Sequence, residues 1–288
     1  MAHRPDVRGF FDPATHTVTY LVSDPATGMA AIIDPVLDFD AATARTSSRS
    51  VDAVMEALRE AGLTLAMVLE THAHADHLTA ASHLRDSEGV SIGIGARITE
   101  VQATFAPLFG AVDVTPDGGV FDHLYAEGDT FALGTMTVEV IHTPGHTPAC
   151  VSYRIGDAAF TGDTLFMPDY GTARTDFPGG DARTLYRSIQ RLLSLPGETR
   201  IFVGHDYLPE GRANHRFETT VAEQRDHNIH IGGGVSEDAF VTMREARDAT
   251  LKAPQLILPS LQINIRAGAL PPPEPGGQRY LKLPLDAI

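Results

Sequence analysis

Cysteine and basic residues are scarce in this chain, and each shortage closes off a kind of chemistry. The 288 residues include a single cysteine, Cys150. No internal disulfide can form, and a thiolate-rich zinc site is excluded. Lysine and arginine total 22 against 37 aspartates and glutamates, for a formal net charge of −15. A nucleic-acid groove or an anionic membrane surface needs clustered cations, so neither partner is expected. No apolar run approaches the roughly 20 residues of a membrane helix. Residues 1–9 are polar and lack the apolar stretch of a signal peptide. A cytoplasmic, reducing location is the expectation that fits.

Histidine, by contrast, is plentiful, with 13 in the chain. The rest of the composition is that of an ordinary globular protein, 43% apolar and 20% charged, long enough to bury a sizeable core. Hydrophobic patterning predicts strands over residues 17–22 and 29–34, separated by the turn-forming Asp24-Pro25-Ala26-Thr27-Gly28. Val51, Val54, Met55 and Leu58 fall at i, i+3, i+4 and i+7 and predict a helix that Gly62 closes. Residues 65–69 form a continuous apolar run, read as a buried strand. Gly93-Ile94-Gly95 reads as a strand-to-helix turn, and residues 215–228 and 236–251 as helices. One domain over residues 1–288 is expected, with residues 206–288 as a C-terminal helical and extended cap.

The expected strands at 65–69, 136–141, 158–161 and 201–203 share one property. Each delivers a histidine or an aspartate just past its C-terminal end, where loops converge on a rigid sheet. The first leads into Thr71-His72-Ala73-His74-Ala75-Asp76-His77. Alternate positions of an extended segment share a face, so His72 and His74 can point together. The later strands lead to His146 in His142-Thr143-Pro144-Gly145-His146, to Asp163 after Gly162, and to His205 after Gly204. Imidazole and carboxylate are ligands for first-row metals, and this density of them at strand ends points to a metal-dependent enzyme.

The ordered set His-x-His-x-Asp-His, then His, Asp and His, resembles the metallo-β-lactamase superfamily. That resemblance implies an α/β fold of the αββα sandwich type, with the site at one edge between two sheets. Gly171-Thr172-Ala173-Arg174-Thr175-Asp176-Phe177, Gly204-His205-Asp206-Tyr207 and the tail through Asn264-Ile265-Arg266-Ala267-Gly268 are similar to the persulfide dioxygenase branch, in its bacterial form. Residues 167–173 depart from the animal and plant enzymes, which carry Gly-Cys-Gly before the arginine. The branch implies one Fe(II) per chain held by His72, His146 and Asp163. It implies oxidation of glutathione persulfide by O2 to sulfite and glutathione. His74, Asp76, His77 and His205 would then surround that metal or hold a second one. Arg174 and Tyr207 match positions assigned to glutathione binding, with Arg266 a further candidate from the tail. A homodimer is a family-level expectation.

The same motif serves a second chemistry, glyoxalase II-like hydrolysis of glutathione thioesters at a binuclear zinc or mixed-metal site. A metal-binding sensor or interaction module is a third, non-enzymatic reading. Plainer roles are expected elsewhere. Cys150 and His142 read as packing and loop residues, Asp181 as a helix cap, and His83, His215, His227 and His230 as solvated or satisfied in the core.

Overall fold

A single strand shows how the layers arise. In β2 of the computed structural model, which describes residues 4–286, Val18, Tyr20 and Val22 face one core while Leu21 faces another. Alternating burial of this kind is what a sheet covered on both faces requires. The first half of the chain holds β1 (Asp6–Phe11), β2 (Val18–Ser23), β3 (Met29–Ile33), β4 (Val36–Asp40), β5 (Arg45–Ser47), β6 (Thr64–Leu69), β7 (Leu78–Thr79), β8 (Ser91–Gly95) and β9 (His123–Tyr125). Helices α1 (Arg49–Glu60), α2 (Ala81–Glu88) and α3 (Ile98–Leu108) alternate with them. The second half holds β10 (Thr130–Leu133), β11 (Met136–His142), β12 (Val151–Ile155), β13 (Ala158–Phe160), β14 (Arg200–Phe202) and β15 (Glu218–Thr220). Its helices are α4 (Ala182–Leu193), α5 (Val221–His227), α6 (Glu237–Asp248) and α7 (Ile257–Asn264).

Two six-stranded sheets result, ordered β1-β2-β3-β6-β8-β9 and β10-β11-β12-β13-β14-β15. In the first, β3, β6, β8 and β9 run parallel. The second is antiparallel except between β13 and β14. Tyr20, Ile33 and Leu69 of one sheet meet Val138, Tyr153 and Phe160 of the other in a shared inner core. Behind the first sheet, Ile32, Val68 and Ile92 pack with Val54, Leu84, Phe105 and Leu261 from helices α1, α2, α3 and α7. Behind the second, Ala159 and Ile201 pack with Leu185, Ile189, Val221 and Phe240 from helices α4, α5 and α6. This is the expected αββα order.

α4 illustrates the local causes. Asp181 is its N-cap, accepting the Thr184 N–H at 2.6 Å, and Leu185, Ile189 and Leu192 form its buried stripe. Two expectations need correction. Gly93 and Gly95 lie inside β8 and not in a turn, and a Cβ on Gly93 would run into the Tyr125 ring on the neighbouring strand. Within residues 215–228, Glu218–Thr220 form β15, which pairs with β14, and α5 starts only at Val221. The segment from 206 onward supplies a sheet edge and helices to both outer layers, since α7 joins the core behind the first sheet.

Candidate metal centre

The strand ends of both sheets converge at one edge of the sandwich. Glycines permit the approach. Gly162, at φ +48°, precedes Asp163, and a Cβ there would lie 2.5 Å from Thr71 Oγ1 on the other sheet. Gly204 precedes His205, and a Cβ there would stand 2.8 Å from Asp163 Oδ1. An isolated bridge between Thr17 and His205 closes the seam.

His72, His146 and Asp163 each offer a ligand atom, and these atoms all lie within 4.8 Å of one another. Asp163 Oδ2 stands 3.9 Å from His72 Nε2 and 3.6 Å from His146 Nε2. The far ring nitrogens are occupied. The Thr71 hydroxyl donates to Asp34 at 2.8 Å, so at 3.0 Å it accepts the His72 Nδ1 proton. His146 Nδ1 donates to the Arg174 carbonyl at 2.8 Å. Both rings therefore turn Nε2 toward Asp163. Burial, reinforced by the charge of His74, pushes the pKa of His72 well below its usual value and keeps it neutral. Burial opposes the Asp163 charge, but His205 beside it holds the carboxyl below the usual range.

The remaining predicted residues sit around this group. His205 Nε2 lies 3.2 Å from Asp163 Oδ1 and 3.3 Å from Asp76 Oδ2. Burial works against its charge, yet Asp163 and then Asp76 raise its pKa to about 9. His74, Asp76 and His77 form a second group of donors within 4.8 Å of one another. His74 Nε2 also faces two buried acids, at 3.0 Å from Asp34 and 3.2 Å from Glu70. Asn264 of α7 clamps this loop. Its Nδ2 donates to the carbonyls of His74 and His77, both at 2.8 Å, and its Oδ1 accepts the Thr79 N–H at 2.9 Å.

His72 Nε2, His77 Nε2 and Asp163 Oδ1 are buried with no hydrogen-bond partner among the described residues. Each such group costs ~1–3 kcal/mol when left unpaired, and a cation bound by their lone pairs removes that cost. The donor set indicates a bound metal ion.

A cavity of about 940 Å³ opens onto His146 and Asp163. Tyr207 lines it, with its ring 5.5 Å from the His205 ring and 4.8 Å from that of Tyr170. Arg174 lines it too, but its guanidinium is held by Asp176 and the Lys252 carbonyl. Arg266 does not reach the cavity. It is buried against Asp113 in a two-pronged pair at 2.7 and 2.8 Å and donates to the Gln262 carbonyl, so the expectation that it meets substrate is corrected. Sequence reasoning missed Asp34, Glu70 and Asn264. Asp34 had a usable signal, since it too stands directly after a strand.

A family model described as Metallo-beta-lactamase superfamily matches residues 12–205. The chain belongs to that superfamily. Its relatives within the superfamily carry enzyme names of two kinds. A probable metallo-hydrolase of Burkholderia pseudomallei is 53% identical over 98% of this chain and 99% of its own length. Glyoxylase B2 of Dictyostelium discoideum is 45% identical over 100% of this chain and 99% of its own. The mitochondrial persulfide dioxygenase ETHE1 of Mus musculus is 32% identical over 93% of this chain and 90% of its own. Among solved structures, ETHE1 from Myxococcus xanthus superposes with a TM-score of 0.74 at 34% identity, covering 92% of this chain and 100% of that one. No helix among the described residues is long and apolar enough to cross a membrane.

Proposed function

We propose that the protein is an iron-dependent persulfide dioxygenase, with one Fe(II) per chain held by His72, His146 and Asp163. The net reaction joins glutathione persulfide, O2 and water to give glutathione, sulfite and two protons. The outer sulfur loses four electrons and O2 gains four. Held by those three residues, Fe(II) would supply the redox chemistry that activates O2 beside the bound sulfur.

What supports this reading is the likeness to ETHE1 of Myxococcus xanthus, 34% identical over 92% of this chain, together with the single donor group formed by His72, His146 and Asp163. His205 Nε2, 3.2 Å from Asp163 Oδ1 and 3.3 Å from Asp76 Oδ2, would hold the far side of that carboxylate. The Thr71 hydroxyl and the Arg174 carbonyl fix the two imidazoles. Tyr207 and Arg174 would form the wall against which the glutathione portion lies.

The purified protein should hold one iron per chain and consume O2 only when glutathione persulfide is added. His205→Ala should keep its iron, whereas His146→Ala and Asp163→Ala should lose it. A second reading, hydrolysis of glutathione thioesters at two metals, is favoured by the separate His74, Asp76 and His77 group and by the Dictyostelium relative. Two metals per chain and oxygen-independent release of glutathione from S-lactoylglutathione would establish it instead.

A further inference from the structure

Five arginines line the cavity above the metal donors, and three of them already have partners. Arg49 lies 3.6 Å from Asp38, Arg174 is held by Asp176, and Arg244 is buried against Asp248 at 2.6 Å. Arg45 and Arg247 are exposed, and neither forms an ion pair within 4.0 Å among the described residues. The acids beside Arg45 are committed elsewhere. Asp40 accepts from Ala42 N and the Thr43 hydroxyl, and Asp38 from the backbone and hydroxyl of Ser50.

The two free arginines come from separate walls. Arg45 is on the β4–β5 hairpin. Arg247 is on α6, three residues after Arg244, and both meet the cavity. His146 and Asp163 open onto the same space. A guanidinium without a partner at a cavity wall suits a carboxylate, which it can bind through two parallel hydrogen bonds. Glutathione carries a carboxylate at each end and its sulfur on the middle residue.

Resting on the persulfide reading above, we propose that Arg45 and Arg247 are the two carboxylate subsites of this cavity. Each takes one end of a dianionic persulfide peptide whose sulfur lies over the metal donors. The substrate class is then set by two charges and not by the persulfide alone. Cysteine persulfide, with one carboxylate, engages one subsite at most.

The test is steady-state O2 uptake by the iron-loaded enzyme and its Arg45→Ala and Arg247→Ala variants. Each substitution should raise KM for glutathione persulfide roughly five- to thirtyfold, the scale of one charge-assisted hydrogen bond at a partly solvated site. kcat should change by less than about twofold, because the charges act on binding and not on the reacting sulfur. The loss should be confined to carboxylate-bearing substrates, and lysine at either position should restore part of it. Equal losses with the persulfide of 2-mercaptoethanol, which has no carboxylate, would overturn the assignment, as would unchanged KM in both variants. Calorimetric titration with S-methylglutathione tests the subsites without any chemistry. Wild-type binding weakened by either substitution supports them even if no persulfide is oxidised, an outcome that would refute only the reaction. Equal affinity in all three proteins refutes the subsites.

Discussion

Replacing Asn264 with leucine, which has a similar volume and no polar atoms, tests whether α7 holds the metal loop. The amide makes three buried hydrogen bonds, to the carbonyls of His74 and His77 and from Thr79 N. Its loss leaves two carbonyls and one N–H without those partners, in a pocket closed to water. At ~1–3 kcal/mol for each buried group left unpaired, with partial relaxation, the expected loss is about 3–6 kcal/mol. That is a large part of the ~5–15 kcal/mol that holds a domain folded. Asn264→Asp keeps the acceptor for Thr79 but sets a carboxylate oxygen against two carbonyls, so it should cost at least as much near neutral pH. The assay is urea unfolding of the metal-free protein, with metal content measured after dialysis against a chelator. Both variants should unfold at lower urea and release bound metal faster than wild type. A change below about 1 kcal/mol, an ordinary single hydrogen bond, with wild-type metal retention, would refute the clamp.

Three further outcomes follow from the same contacts. Arg266→Ala should lower stability without altering KM for the substrate, because its guanidinium serves Asp113 and Gln262; a raised KM at unchanged stability would restore it to the cavity. Burial pushes the Cys150 thiol up to about 12, so it should resist disulfide reagents in the native protein and react on unfolding. Rapid labelling of the folded enzyme would count against that packing. Burial, then the charges of Arg244 and Arg247, lower the His230 pKa to about 4, and its neutral Nδ1 accepts the Thr172 N–H at 3.0 Å. Unfolded, this ring protonates near pH 6.5. Its contribution is therefore complete above about pH 6.5 and is lost as pH falls toward about 4. Between pH 7.5 and pH 5 the urea midpoint of wild type should drop more than that of His230→Gln; equal drops would remove His230 from the account.

The metal donors were legible because a strand end is a local feature. An apolar run followed within about four residues by His or Asp marks His72, His146, Asp163 and His205 without any knowledge of which strands pair. Asp34 follows the same rule and escaped notice, because a lone aspartate before Pro35 also reads as a turn. Asn264 could not be found this way. It lies 190 residues from His74, and no period or spacing connects a helical asparagine to a distant loop. Arg266 failed for a related reason: a sequence gives the charge of a tail residue but not the direction in which it is buried. The glycines of β8 misled because small size there serves the Tyr125 ring on β9 and not a turn.

The division of the two sheets along the chain has a bearing on synthesis. The first sheet is complete at Tyr125, yet its inner face, with Tyr20, Ile33 and Leu69, is covered by strands β10 to β14 and by Phe217, all of which come later in the chain. While the ribosome makes that second half, the first presents an apolar surface ready to stick to other chains. Of the group His72, His146 and Asp163, only His72 exists at that stage. Metal loading must therefore wait until the second sheet has docked, and a nascent chain stalled near residue 125 should depend on chaperones in a way the finished protein does not.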